Sequence, residues 1–318
     1  MSRQCIVVIE NSNLLQSICG ANDINLAAIQ NSMGIEVFTH GNELILNSVD
    51  FIIQKNFKEL VDKLIEHYNI GHIPDPQLVS TLYRSIITKD ENTTDLLKDL
   101  HISLPKSSKV FPRNHNQALY IDGMFKKDII FAIGPAGTGK TYLGIAHALK
   151  EILEKKKRKL ILTRPVVEAG ESLGFLPGDL NQKISPYLRP LYDAIDSLIP
   201  FNIIKKLEEN RVIEIAPLAY MRGRSLKNSY ILLDEAQNTT KEQMKMFLTR
   251  IGEGSKAIIT GDITQIDLPS RKISGLVHSL EILKDLEDIH FSFFSAQDIV
   301  RSPLVKAIVN AYEQEGRE

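Results

Sequence analysis

Hydrophobic positions follow two different rhythms along this chain. Through the first hundred residues, short apolar runs are interleaved with helical stripes. Cys5 to Ile9 is a short apolar run that predicts a strand. Asn13 to Cys19 suits a short helix stopped by Gly20, and Asn22 is placed to cap a second one. That helix would carry Leu26, Ile29 and Met33 on one face and end at Gly34. Glu36 to Thr39 and Glu43 to Asn47 flank His40-Gly41-Asn42 and predict a hairpin. Phe57, Leu60, Val61, Leu64, Ile65 and Tyr68 recur at helical spacing, as do Leu78, Val79, Leu82, Ile86 and Ile87. Both stripes read as core, since an apolar face at that period packs inward in a globular unit.

Beyond a polar stretch from Ser103 to Asn116, with Pro105 and Pro112, the rhythm changes to strand and helix in alternation. Strands are expected at 129–133, 160–163, 212–216, 229–233, 256–260 and 290–294. Alternation of this kind builds a parallel sheet with helices on both faces. The expected organisation is a small α+β domain over residues 1–105, then an α/β domain over 106–318. No internal repeat or low-complexity tract interrupts either.

Composition narrows the picture. With 318 residues and 43% hydrophobic content, the chain can bury a core in each of two domains. A net charge of −1 means that any nucleic-acid surface must be a local patch. Cys5 and Cys19 are too few for a disulfide framework and read as core packing in a reducing compartment. The opening Met1-Ser2-Arg3-Gln4 leads into no long apolar segment, and no run approaches the ~20 residues of a membrane span. The cytoplasm is expected, without membrane contact.

Chemistry concentrates after the strand at 129–133. Gly134-Pro135-Ala136-Gly137-Thr138-Gly139-Lys140-Thr141 fits Gly-x4-Gly-Lys-Ser/Thr between a strand and a helix. Glycines let the backbone curl so that successive N–H groups face phosphate oxygens. Lys140 supplies a charge for the β/γ-phosphates, and Thr141 a hydroxyl for Mg²⁺. Downstream, the apolar strand through Leu233 ends in Asp234 and Glu235. Asp234 would face Mg²⁺; Glu235 would polarise an attacking water, which favours hydrolysis. A third strand leads to Gly261-Asp262-Ile263-Thr264-Gln265, where Gln265 could sense a γ-phosphate through its amide.

Six segments together resemble the PhoH-like ATPases: 134–141, 163–178, 217–224, 233–240, 260–269 and 298–301. The resemblance runs from about residue 112 to 315. It implies a P-loop ATPase core similar to helicase superfamily one, using ATP and Mg²⁺ and acting on or near RNA. The N-terminal unit resembles the KH-like domain of longer members. A KH domain clamps RNA with a Gly-x-x-Gly loop, and residues 1–105 contain none.

Other residues follow from position. Gln117 stands where related motors place an adenine-reading glutamine; an exposed interdomain glutamine is the alternative. Tyr120 could stack on the base, though packing suits it better. Arg164, Arg222 and Arg224 are candidate RNA-phosphate contacts, with solvated loop arginines as the alternative. The run Lys155 to Lys159 reads as a solvated helix end, where cations are favoured, with an RNA patch as the alternative. Arg301 is a candidate arginine finger, with Arg271 or a surface ion pair as alternatives. A single P-loop core with a finger from its neighbour implies a homo-oligomer, such as a ring.

The expected function is a Mg²⁺-dependent ATPase that drives RNA or ribonucleoprotein remodelling. Its rival is a nucleotide-gated assembly factor for an RNA-processing or ribosome-associated complex, with slow hydrolysis.

Overall fold

The computed structural model describes residues 4–105, 109–165, 180–269 and 273–300, with the side chains of all but 91 and 180–185. Two compact units emerge. One takes the chain up to His101 together with Phe111–Ala118; the other takes Ile102–Val110 and the chain from Leu119 onward.

The first unit is α+β. Its strands are β1 (Cys5–Val8), β2 (Val37–His40) and β3 (Glu43–Leu46), in the order β1-β3-β2 with both pairings antiparallel. Leu46 lies opposite both Cys5 and Val37, so the central strand and both neighbours contribute to one buried layer. Five helices accompany the sheet among the described residues: α1 (Ser12–Cys19), α2 (Ile24–Met33), α3 (Phe51–Asn69), α4 (Pro76–Thr88) and α5 (Glu91–Asp99). Local chemistry sets their starts. Asn11, Asp50 and Asp75 accept backbone N–H groups at the heads of α1, α3 and α4, and Pro76 occupies the first turn of α4.

The cap expected at Asn22 does not form. Only one tight turn separates Gly20 from α2, and Asn22 and Asp23 both adopt left-handed backbone (φ +52° and +58°). An N-cap needs extended backbone to aim its side chain at the first turn. The two stripes do form the core, with Phe57, Leu60, Val61 and Leu64 of α3 and Leu78, Val79 and Leu82 of α4 fully buried. Ile87 departs from the stripe and is exposed. Both cysteines are buried free thiols.

The second unit is α/β. A short antiparallel pair, β4 (Ile102–Ser103) with β5 (Lys109–Val110), is part of it, and α6 (His115–Lys126) comes before its main sheet. The main sheet contains β6 (Ile129–Ile133), β7 (Lys159–Arg164), β8 (Ile213–Pro217), β9 (Ser229–Leu233), β10 (Lys256–Gly261) and β11 (Ile289–Phe293). Their order is β11-β6-β10-β9-β7-β8, parallel throughout. Each expected strand is present within a residue at either end. Helices α7 (Lys140–Leu153), α8 (Leu180–Asp196), α9 (Phe201–Glu209), α10 (Lys241–Leu248) and α11 (Gly275–Leu283) connect the strands.

Every residue of β9 and β10 is buried, as a parallel strand covered on both faces requires. Strand β10 lies between β6, which leads into the glycine-rich loop, and β9, which ends in the two acids. All three therefore deliver their C-terminal ends to one edge, where ligands of open parallel sheets bind. Among the described residues, no helix is long and apolar enough to cross a membrane.

Candidate nucleotide site

A pocket of about 330 Å³ opens at that edge, lined by the glycine-rich loop, Arg164, Asp234, Glu235, Asp262 and Gln265. The loop needs its glycines. Gly137 and Gly139 hold φ near +82° and +83°, a region that side chains disfavour. A Cβ on Gly134 would come 2.4 Å from the Phe294 carbonyl oxygen. Gly134 also donates its N–H to Gly261 O and Phe294 donates to Ile133 O (3.0 and 2.7 Å), fastening the loop's base to neighbouring strands.

Lys140 opens α7 and is buried. Its ammonium donates to the carbonyl oxygens of Gly134 and Pro135 (2.6 and 2.7 Å). Burial lowers its pKa, and the nearby Asp262, Asp234 and Glu235 oppose that shift. Thr141 donates its hydroxyl to Asp234 Oδ1 at 2.7 Å, and Thr260 at the end of β10 donates to the same oxygen at 2.6 Å. The backbone N–H of Asp234 reaches Thr163 O, continuing the β7–β9 ladder.

Glu235 is gripped at both oxygens. Arg164 Nη2 lies 2.5 Å from Oε1, and Gln237 Nε2 lies 2.5 Å from Oε2. Arg164 also donates to Tyr187 O at 2.9 Å and lies 3.8 Å from Asp234. Gln237 accepts the N–H of Asp262 through Oε1 (3.0 Å), tying the ends of β9 and β10 together. Glu235 itself holds a left-handed φ of +52°, and strain in a non-glycine residue collects at functional sites.

The phosphate loop, Thr141, Asp234, Glu235 and Gln265 thus share one pocket. Arg164 sits in it too, against Glu235, and apart from Arg222 and Arg224. Arg222 is exposed, and Arg224 forms a two-nitrogen ion pair with Glu214. Gln117 belongs to the first unit, where its side-chain carbonyl accepts the N–H of Arg113. Tyr120 packs fully buried, edge-on to Phe294, and donates to Lys140 O. Arg271 and Arg301 lie outside the described residues.

Three residues escaped the sequence reading in these roles: Asp262, which lines the pocket, and Gln237 and Thr260, which hold its carboxylates. Asp262 is buried, and its Oδ2 has no hydrogen-bond partner among the described residues. It directly follows an apolar parallel strand, the same signal that marks Asp234, and could have been found by it. Gln237 and Thr260 act through side-chain geometry that no spacing rule specifies.

A glycine-rich loop after β6, a basic residue heading α7 and an acidic end on β9 define a P-loop nucleotide-binding unit. The residues also suit Mg²⁺. A hydroxyl and a carboxylate converge at Thr141 and Asp234, and Asp262, one of whose oxygens has no hydrogen-bond partner among the described residues, lines the same pocket.

Comparisons agree with that class. The family model described as PhoH-like protein matches residues 109–313. A PhoH-like protein of Mycobacterium tuberculosis is 44% identical, covering 94% of this chain and 85% of its own. One from Bacillus subtilis is 39% identical over 96% of each chain. Protein PhoH of Escherichia coli is 43% identical over 65% of this chain and 59% of its own. The chain belongs to the PhoH-like protein family.

Proposed function

We propose that this protein binds ATP with Mg²⁺, hydrolyses it, and uses the turnover to rearrange RNA or ribonucleoprotein in the cytoplasm. The observation that carries the catalytic reading is the grip on Glu235. Arg164 and Gln237 fix both of its oxygens beside Asp234, in the pocket that the phosphate loop opens. A carboxylate held in this way is positioned to accept a proton from an attacking water.

On binding, Lys140 exchanges its loop carbonyls for the β/γ-phosphates, and the loop amides at the head of α7 receive the remaining charge. Thr141 and Asp234 would hold Mg²⁺, which supplies charge neutralisation for the phosphates. Gln265 lines the pocket as the candidate γ-phosphate sensor. Arg301 remains the candidate finger, supplied by a neighbour in a homo-oligomer.

Turnover measured with and without RNA tests this reading. RNA-stimulated phosphate release that Glu235→Gln abolishes is expected. One feature favours the rival, a nucleotide-gated assembly factor: a net charge of −1 leaves the chain little overall basic character for work on RNA. Tight ATP binding with turnover indifferent to RNA would select that rival.

A further inference from the structure

The strand starts of the main sheet carry a second concave surface. It is a groove of about 430 Å³ at the beginnings of β7, β8 and β9. Arg158, Lys159, Arg211, Arg224 and Lys227 line it, and no carboxylate does. Glu214 stands behind two of these cations, accepting from Lys159 at 2.5 Å and from both terminal nitrogens of Arg224 at 2.5 and 3.0 Å. The hydrogen bonds from Arg224 hold its pKa below the usual glutamate value, so it stays ionised and fixes both cations. Arg158, Arg211 and Lys227 are exposed and form no side-chain hydrogen bond or ion pair with the described residues.

Backbone geometry adds to this. Helix α9 ends in a wrap in which Val212 donates to Leu207 O, and Arg211 within it is left-handed at φ +55°. Glycine usually fills that position, and an arginine there is strained. Attraction of cations to a helix C-terminus accounts for Arg211. It does not account for Arg158, Arg224 or Lys227, which lie on loops ahead of strands.

We infer that this groove is a track for the sugar-phosphate backbone of single-stranded RNA, bound without base readout. The inference rests on the RNA reading above and assigns it a surface. Guanidinium forks suit phosphate oxygens. No aromatic side chain lines the groove, so bases have no stacking platform and contact falls to the backbone. Ile161 and Leu226 are buried in its floor, leaving little apolar seat for an acidic peptide. Strand β7 runs from Lys159 in the groove to Arg164 in the nucleotide pocket. The two sites therefore lie about 17 Å apart along one strand, on opposite edges of the sheet.

The test uses the full chain and a fluorescent oligouridylate of about 20 nucleotides, titrated by anisotropy at several salt concentrations. The combined variant Arg158→Ala, Arg211→Ala, Lys227→Ala should lower the log–log salt slope by about 2 and weaken binding about 100-fold near 0.1 M salt. Its RNA-free ATP turnover should be unchanged. The charge-keeping variant Arg158→Lys, Arg211→Lys, Lys227→Arg should retain the wild-type slope; equal loss in it would overturn a charge-based track. Unchanged affinity and slope in the alanine variant would also overturn the track, while leaving the RNA reading intact. A wild-type protein that binds no oligouridylate in any nucleotide state would remove both. Polyglutamate binding that matches the oligouridylate and depends on the same three cations would reject RNA as the occupant.

Discussion

The two ends of one parallel sheet are built on opposite plans. At the strand ends, charges are interlocked: Asp234 serves two hydroxyls, and Glu235 is held by Arg164 and Gln237. At the strand starts, three cations stand exposed around two that are anchored through Glu214. Interlocking suits chemistry, because a reacting group must be positioned before the reaction begins. Loose cations suit a flexible polyanion, because contact with phosphate is mainly electrostatic.

The sharpest way to break this comparison is Glu235→Gln. It keeps the side chain's shape and removes the proton acceptor, so turnover should fall by about 10²–10⁴-fold while ATP binding persists. Steady-state phosphate release, compared with nucleotide affinity, decides the point; wild-type turnover would sink the role given to Glu235. Arg164→Ala comes next. Loss of a charge-assisted hydrogen bond of about 1.5–3 kcal/mol should slow turnover by about 10- to 100-fold. Arg164→Lys should recover part of it, since a lysine keeps the charge but not the fork that also reaches Tyr187 O.

Acid probes the helix that joins the two ends. Helix α7 begins at the phosphate loop, and His147 within it is buried with Nδ1 2.8 Å from the Tyr230 hydroxyl. Burial pulls its pKa down to about 3. The unfolded chain, with an ordinary value of about 6.5, takes up this proton first. Stability from the neutral ring is complete above about pH 6.5 and is lost as pH falls towards about 3. This one residue should cost about 2 kcal/mol between about pH 6.5 and 5. Urea melts at about pH 7.5 and pH 5 should show that slope reduced by about this amount in His147→Phe. The smallest effect belongs to the strand starts. Substituting Arg158, Arg211 and Lys227 by alanine should change RNA-free turnover by less than about two-fold, as surface changes away from a site usually do.

Legibility in the sequence followed locality. Fully buried strands such as β9 and β10 announce themselves as apolar runs, and the phosphate loop has fixed spacing. Asp234 and Glu235 were readable because they end such a run. Arg164 was readable as important, but its partner was not, since Glu235 lies 71 residues away. The basic groove was legible only in pieces, as Arg224 and the run through Arg158 and Lys159, for the same reason. Arg158, Arg211 and Lys227 come from three loops, and only the strand order β9-β7-β8 gathers them. In the first unit, the Asn22 cap failed because the single tight turn before α2 leaves no extended residue, a detail of dihedrals rather than of pattern.

The left-handed backbone of Glu235 has a consequence for how this chain can drift. Glycine would occupy φ +52° with less strain, so a library selected only for heat resistance should accept Glu235→Gly readily. The same substitution deletes the carboxylate that Arg164 and Gln237 hold. Under the proposed hydrolytic role, selection for durability and selection for turnover would pull this position in opposite directions.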